Sequence, residues 1–208
     1  QRENALTARA NFGFNIEAED RGFGVATGAY GVSFGALAVT SGLDVWQTVA
    51  LSLLLFTGGS QFALVGIIGS GGNPVTAVAT STLLGIRNGL YGLQLARVLR
   101  LLGWRRAAAA HLTIDESTAV ALAQEQPEVQ RTGFWAAGLG VYAFWNLSTL
   151  VGALVGNAIG DPRVWGLDAA AAAAFVALIW PRLKDRTGQV TAALAAAIAL
   201  ISFAPMPA

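Results

Sequence analysis

The stretch VWQTVALSLLLFTGGSQFALVGIIGSGGNPVTAVATSTLLGI, from Val45 to Ile86, contains no charged side chain. A helix needs about 20 consecutive apolar residues to cross the hydrocarbon core of a bilayer. This stretch is therefore long enough for nearly two crossings. Further uncharged runs that reach the required length cover residues 22–43, 132–160 and 187–208. Together these runs predict an all-α integral membrane protein that crosses the bilayer several times.

The composition agrees with this class. Charged residues make up 12% of the chain and hydrophobic residues 54%, whereas an ordinary soluble domain carries about a quarter charged residues. The net charge is only +1, and the basic residues lie at the ends of apolar runs instead of forming a groove-facing stripe. This distribution excludes nucleic-acid binding.

Few residues suit metal, cofactor or catalytic chemistry. The chain has no cysteine and a single histidine, His111, which is too little for a thiolate or imidazole metal site. No HExxH or GxSxG arrangement occurs, and Ser60 has no visible base. We therefore expect that the protein is not an enzyme and that it binds no metal and no cofactor.

The apolar runs divide the chain into four parts. Residues 1–21 form a polar lead-in, and residues 22–102 form a first unit with three predicted spans. The second of these spans, Val45 to Gly69, is broken at Gly58-Gly59. Residues 103–131 form a connector that either stays at the surface or inserts part-way. The second unit, residues 132–208, supplies spans at about 132–157, 164–181 and 188–203.

An internal repeat links the two units. FGALAV around Gly35 matches VGALVG around Gly152, and DVWQTVALSLLLF matches RVWGLDAAAAAAF, which aligns Trp46 with Trp165. The predicted fold is thus about six transmembrane helices in two three-helix repeats, a plan common among secondary transporters. The repeats are inverted if the connector stays on one side and parallel if it crosses. The positive-inside rule favours inversion, which places on the cytoplasmic side Arg97, Arg100, Arg105, Arg106, Arg131, Arg182, Lys184 and Arg186.

The polar group Gly58-Gly59-Ser60-Gln61 lies within an apolar span. Paired glycines weaken the helix, and Ser60 can cap the half that restarts, which leaves N–H groups and a positive dipole end for an anion. A substrate carboxylate suits such a site. Alternatively, the glycines admit a neighbouring helix and Gln61 bonds across that interface.

Arg87-Asn88 places a charge near the middle of the third span. An arginine deep in a bilayer costs about 2.5 kcal/mol or more, so it faces a cavity or a buried acid. It either contacts substrate or forms an ion pair with Asp115 or Glu116 that fixes the connector.

Two further polar groups are candidates. His111 and Asp115 lie four residues apart, on one helical face, which places a proton acceptor beside a group that titrates near neutrality. The alternative, a solvated amphipathic helix, is the commoner use of such a pattern. Trp145-Asn146 either lines a pathway or bonds helices together, and the second use is commoner.

Four motifs occur in order along the chain, namely GVSFGALAVTSGL, LSLLLFTGGSQFALVG, LLGIRNGLYGLQLA and HLTIDESTAVALA. Together they resemble the AzlC family, the large subunit of branched-chain amino acid exporters, over about residues 30–186. The resemblance implies export of valine, leucine and isoleucine across the bacterial plasma membrane by a multi-pass protein, driven by the proton gradient, with a small AzlD-type membrane partner. Gly89 stands where family members commonly have a histidine.

The sequence thus predicts a secondary transporter for branched-chain amino acids, the alternative being a non-transporting scaffold or channel subunit. The substrate carboxylate meets Gly58 to Gln61 with help from Arg87. Asp115 or Glu116 takes the proton or the substrate ammonium group. The remaining candidates line the substrate site or pathway: Phe56, Phe62, Asn88, Tyr91, Trp145 and Asn146.

Overall fold

A computed structural model describes residues 30–159 and 180–202. The chain divides into two compact units, Gln1–Asp168 and Ala169–Ala208, and the described parts of both are helical without any strand. The first unit contains α1 Tyr30–Thr40, α2 Val45–Leu54, α3 Gly58–Gly69, α4 Pro74–Leu99, α5 Gly103–His111, α6 Asp115–Leu122 and α7 Pro127–Ile159. The second contains a 3-10 helix, Trp180–Lys184, and α8 Arg186–Ser202.

The longest described helix is α7, which at 1.5 Å per residue extends roughly 50 Å. It is the single described helix that is long and apolar enough to cross a membrane by length and composition alone. One such helix also occurs in soluble cores. The large apolar side chains on α4 are nevertheless exposed, with Leu83 at 69% and Leu93 at 70%, as is typical of a lipid-facing or partner-facing surface.

The C-terminal half of α7 packs closely along α1. A Cβ atom on Gly31 would lie 2.7 Å from the Cβ of Ser148, and one on Gly156 would lie 2.9 Å from the Cα of Ala36. Since the numbers rise together on both helices, α1 and α7 run parallel. The predicted inversion is therefore wrong for this pair, because inverted repeats would make the first and fourth spans antiparallel.

Residues 45–69 form a helical hairpin, which we call the first hairpin. Asp44 caps α2 by accepting from Gln47 N at 2.7 Å, α2 ends at Leu54, and α3 begins at Gly58. At its far end α3 returns to the end of α1, where a Cβ on Gly69 would lie 2.8 Å from Ser41 Cβ. The predicted helix break is confirmed. The chain reverses there, however, so the prediction that residues 45–69 make a single crossing was wrong.

Helix α4 runs back alongside α3. Pro74 starts it at the first helical position, where proline is favoured, and Asn73 caps it by accepting from Val75 N at 2.8 Å. Gly85 then lies against Ser60, because a Cβ atom on Gly85 would lie 3.6 Å from Ser60 Oγ. Because α3 starts level with the middle of α4, the two helices are antiparallel.

The connector forms a second hairpin, residues 103–122. The chain turns at Arg100, which adopts a left-handed conformation with φ of 48°, and α5 then runs back toward the middle of α4. Helix α6 returns antiparallel to α7, since Val120 faces Gly133 and Ser117 faces Gly138.

Several basic residues lie in the segments at the base of the second hairpin. The C-terminal end of α4, the start of α5 and the start of α7 adjoin at the base of the second hairpin. Five of the eight basic residues predicted to share one side belong to these segments, namely Arg97, Arg100, Arg105, Arg106 and Arg131. The predicted sixth span corresponds to α8, whereas most of the fifth, including Trp165, lies outside the described residues.

Candidate functional site

Gln61 joins three helices inside the first unit. Its side-chain Oε1 accepts from Trp145 Nε1 at 3.0 Å, and its Nε2 donates to the backbone oxygen of Ser52 at 3.4 Å. Gln61 is fully buried. The amide thus holds α2, α3 and α7 together, which is the interfacial bonding that the sequence offered as the alternative to substrate contact.

The first turn of α3 presents backbone toward the ion pair described next. Thr57 precedes it and makes no side-chain capping bond to the helix; its Oγ1 lies 3.4 Å from Ser60 Oγ. Gly58 faces the Trp145 ring, and the Cβ position of Gly59 is 3.8 Å from Arg87 Nη2. Helix N-termini leave N–H groups without intrahelical partners and carry partial positive charge. This turn is therefore suited to an anion.

Arg87 forms an ion pair with Asp115. Its Nη1 is 3.2 Å from Asp115 Oδ2, and the two side chains are 46% and 36% exposed. The predicted pairing of Arg87 with an acid of the connector is thus found with Asp115, the first residue of α6, while Glu116 follows it in the same turn. Because Arg87 also lies beside Gly59, its guanidinium is placed near the starts of both α3 and α6.

Two oxygen acceptors near this ion pair are buried and have no hydrogen-bond partner. They are Oδ1 of Asp115 and Oδ1 of Asn88. A buried acceptor without a donor costs roughly 1–3 kcal/mol. Both atoms can therefore gain from a ligand that brings N–H groups.

His111 does not share a helical face with Asp115, so that prediction was wrong. It ends α5, Asp115 begins α6, and the tip 112–114 separates them. Ser117 stabilises the tip, because its Oγ donates to Leu112 O at 2.7 Å and accepts from Ile114 N at 3.1 Å.

The ring of His111 packs instead against aromatic side chains. Its centroid lies 6.2 Å from that of Phe56, at the tip of the first hairpin, and 5.5 Å from that of Tyr142 on α7. The two hairpin tips therefore meet through an aromatic contact.

An open groove of about 430 Å³ runs beside the two tips. Ligand sites of small molecules commonly measure about 300–1,000 Å³. Arg87 and Asp115 are not among its lining residues, but Ile86 and Asn88 flank Arg87 in the chain, and Thr113 lies two residues before Asp115. The lining residues are Leu54, Leu55, Phe56, Thr57, Ser81, Thr82, Gly85, Ile86, Asn88, Ala110, His111 and Thr113.

The four side chains predicted to hold the apolar part of the substrate do not form one pocket. Phe56 lines the groove. Phe62 and Trp145 are buried in an aromatic cluster with Phe34, with centroids 5.5 Å apart for Phe34 and Phe62 and 6.2 Å apart for Phe34 and Trp145. Tyr91 lies one turn beyond Arg87 on α4.

Asn146 bonds within its own helix, whereas several unpredicted residues bond neighbouring helices together. Asn146 Nδ2 donates to the Tyr142 backbone oxygen at 2.7 Å, while its Oδ1 is buried without a partner. Tyr142 Oη donates to Leu53 O at 3.2 Å, and Ser52 Oγ donates to Thr149 Oγ1 at 3.3 Å. No pattern in the sequence indicated the latter contacts, because isolated hydroxyl groups are common in apolar helices.

The described residues contain no group of three or more His, Cys, Asp or Glu side chains placed to hold a metal ion. The ionisable groups at the site are thus those of Arg87, Asp115 and Glu116, with His111 nearby at the groove. Such a set can bind a carboxylate and an ammonium group and can exchange a proton.

Known proteins resemble this chain over most of its length. The AzlC protein family model matches residues 23–159. An "Uncharacterized membrane protein" of Helicobacter pylori strain J99 is 27% identical over 176 residues, which cover 84% of this chain and 77% of that protein. An "Uncharacterized membrane protein" of Archaeoglobus fulgidus is 32% identical over 173 residues, which cover 82% of this chain and 75% of that protein. No solved structure matches the chain significantly. Because the family model covers more than half of the sequence, the chain belongs to the AzlC family of membrane proteins.

Proposed function

We propose that this protein is a secondary transporter that exports branched-chain amino acids across the bacterial plasma membrane, together with a small AzlD-type subunit. Export is coupled to the proton gradient and involves no catalysis. The observation that carries the proposal is the partly exposed Arg87–Asp115 ion pair beside the first turn of α3. An ion pair in this position offers one partner for each charge of an amino-acid zwitterion.

The substrate carboxylate replaces Asp115 on Arg87. A guanidinium binds a carboxylate through paired hydrogen bonds, so one carboxylate can take the place of another with little loss of electrostatic energy. The nearby first turn of α3 adds N–H groups and the positive end of the helix dipole. Gly59 has no side chain that would keep the carboxylate away from this turn.

The released Asp115 then accepts the substrate ammonium group or a proton. Its Oδ1 already lacks a donor, as does Oδ1 of Asn88, and an ammonium group carries three donors. Glu116 provides a second carboxyl group in the same turn for the proton. The bound zwitterion leaves the net charge of the site unchanged, which limits the cost of burying it.

The branched side chain of the substrate occupies the groove between the tips. Phe56, Leu55 and Ile86 supply apolar walls, and the volume of about 430 Å³ exceeds that of a single aliphatic side chain. Burial of the aliphatic group contributes about 0.8 kcal/mol for each methylene group. The site then prefers valine, leucine and isoleucine over glycine and alanine.

The test is uptake of labelled valine into liposomes that contain the chain, with and without an AzlD-type partner, under an imposed pH gradient. We expect gradient-dependent uptake that Arg87→Ala and Asp115→Ala each abolish. Arg97→Ala is the matched control, because Arg97 lies in the last turn of the same helix, away from the ion pair. Normal export by both Arg87→Ala and Asp115→Ala would refute the site.

A non-transporting scaffold is the second candidate, and the bonded arrangement of Gln61, Trp145 and Ser52 favours it, because these predicted site residues hold helices together. Saturable, proton-dependent counterflow of valine excludes this candidate. Absence of uptake with the partner present would favour it, or would point to another substrate.

A further inference from the structure

The first unit contains two segments of matching design. In each, a helical hairpin precedes a long helix: α2 and α3 precede α4, and α5 and α6 precede α7. The tips, 55–57 and 112–114, are equal in length, as are the links 70–73 and 123–126. Both long helices begin with a proline, Pro74 and Pro127. The segments 45–99 and 103–159 are thus a structural repeat.

The two tips also match in sequence at two positions, Leu55 with Leu112 and Ser60 with Ser117. Sliding one hairpin by 57 positions aligns LFTGGSQ, from Leu55, with LTIDEST, from Leu112. Ser60 then matches Ser117, and both are fully buried. This correspondence differs from the repeat that the sequence suggested around Gly35 and Gly152, and it brings the start of α3 into register with the start of α6.

The two segments point in opposite directions. The first hairpin has its base beside Ser41, at the end of α1, which runs parallel to the C-terminal half of α7. The second hairpin has its base at the start of α7, since Val120 near its end faces Gly133. The tips meet between these ends, where the rings of Phe56 and His111 lie 6.2 Å apart.

We propose that the two hairpins enter the membrane from opposite faces and act as the two gates of the transport site, each closing access from one side. This inference rests on the proposed function for its gating part. The placement of the hairpins stands independently, on the packing contacts. In a bilayer, non-helical backbone such as the tips is tolerated only where protein or a cavity surrounds it, which is the situation of both tips.

The contacts indicate which gate the substrate releases. The second hairpin is joined to α4 by the Arg87–Asp115 ion pair. Because the substrate carboxylate competes with Asp115 for Arg87, substrate binding removes this bond to α4 and leaves the second hairpin held by its packing against α7. The first hairpin makes neutral bonds to α7 through Gln61 and Ser52, which a zwitterion does not replace.

Cysteine labelling tests from which membrane face each hairpin enters. The chain has no native cysteine, so only the introduced residue can react. Single variants Asp44→Cys and Ser70→Cys flank the first hairpin, and Leu102→Cys and Glu125→Cys flank the second. A membrane-impermeant maleimide should label the first pair from one face of oriented vesicles and the second pair from the other. Labelling of Asp44→Cys and Ser70→Cys from opposite faces would show that residues 45–69 span the membrane, and would overturn the proposal whether or not valine is transported.

Gating is tested by a reversible lock. A Cβ on Gly138 lies 3.6 Å from Ser117 Cβ, within the roughly 3.5–4.5 Å that a disulfide requires. In the double variant Ser117→Cys/Gly138→Cys, oxidation should stop valine uptake and reduction should restore it. Each single variant, treated alike, is the control.

The disulfide experiment distinguishes failure of the gating proposal from failure of the proposed function. Disulfide formation, measured by loss of reaction with a maleimide polymer, with uptake unchanged between oxidised and reduced protein, would overturn gating while leaving transport intact. Failure of the unmodified protein to transport valine contradicts the proposed function and the gating role, and the labelling pattern alone then decides whether the hairpins enter from opposite faces.

Discussion

The two hairpins share a backbone plan but differ in how they are held. The first carries no charge and is bonded to α7, with Trp145 Nε1 donating to Gln61 Oε1 at 3.0 Å. In the second, the serine Ser117 bonds within its own tip, while the ion pair of Asp115 with Arg87 ties it to α4. Neutral bonds inside a protein have no competitor among soluble ions, whereas an ion pair can exchange partners with a charged ligand.

Structurally equivalent positions at the starts of α3 and α6 carry different residues and therefore suit different ligand groups. Gly58 and Gly59 at the start of α3 correspond to Asp115 and Glu116 at the start of α6. The first pair exposes backbone suited to a carboxylate, and the second supplies carboxyl groups suited to an ammonium group or a proton. A repeat that is symmetric in backbone thus becomes complementary to a ligand with two opposite charges.

The largest effect on stability is expected from removing the bond that fixes the first hairpin. Gln61→Ala leaves Trp145 Nε1 without an acceptor and opens space in a fully buried position, so we expect a loss of about 3 kcal/mol. Gln94→Ala, at an exposed position of α4, is the matched control. Thermal unfolding in detergent measures both, and equal melting temperatures would contradict the role given to Gln61.

Several features of the two hairpins could be predicted from the sequence. The reversal of the chain at each tip could not. The uncharged runs predicted helices, Gly58-Gly59 predicted a break, and the isolated charge of Arg87 predicted an acid partner in the connector. A break in an apolar helix has the same sequence whether the chain continues or reverses. Only contacts distant in sequence, such as that of Gly69 with Ser41, decide between the two.

The error for His111 has the same origin. Spacing of four residues places two side chains on one face only in a continuous helix, and the tip 112–114 interrupts it. The signal was present in Thr113 and Ser117, hydroxyl residues that bond to nearby backbone and compete with helix. Thr113 Oγ1 donates to Ala109 O at 2.7 Å, at the end of α5.

A smaller loss of stability is expected when either of the two equivalent serines, Ser60 or Ser117, is replaced by alanine. Ser117 Oγ accepts from Ile114 N at 3.1 Å and donates to Leu112 O at 2.7 Å, whereas the Oγ of Ser60 has a 3.4 Å contact with Thr57 Oγ1. Ser117→Ala should therefore destabilise by about 2 kcal/mol and Ser60→Ala by about 0.5 kcal/mol. Melting temperatures in detergent provide the measurement. The reverse order would mean that the first tip, and not the second, depends on its serine.

The smallest effect should have the opposite sign. Thr118, one turn beyond Asp115 on α6, is buried and its Oγ1 has no hydrogen-bond partner. Valine has nearly the same shape without the hydroxyl group, so Thr118→Val should leave the free energy of unfolding unchanged or raise it by up to about 1 kcal/mol. Thr149→Val is the control of like chemistry. It removes the acceptor of Ser52 Oγ on the first hairpin and should destabilise. A marked loss of stability in Thr118→Val would mean that this hydroxyl group has a partner in the membrane, which would add to the ion pair and the α7 packing that hold the second hairpin.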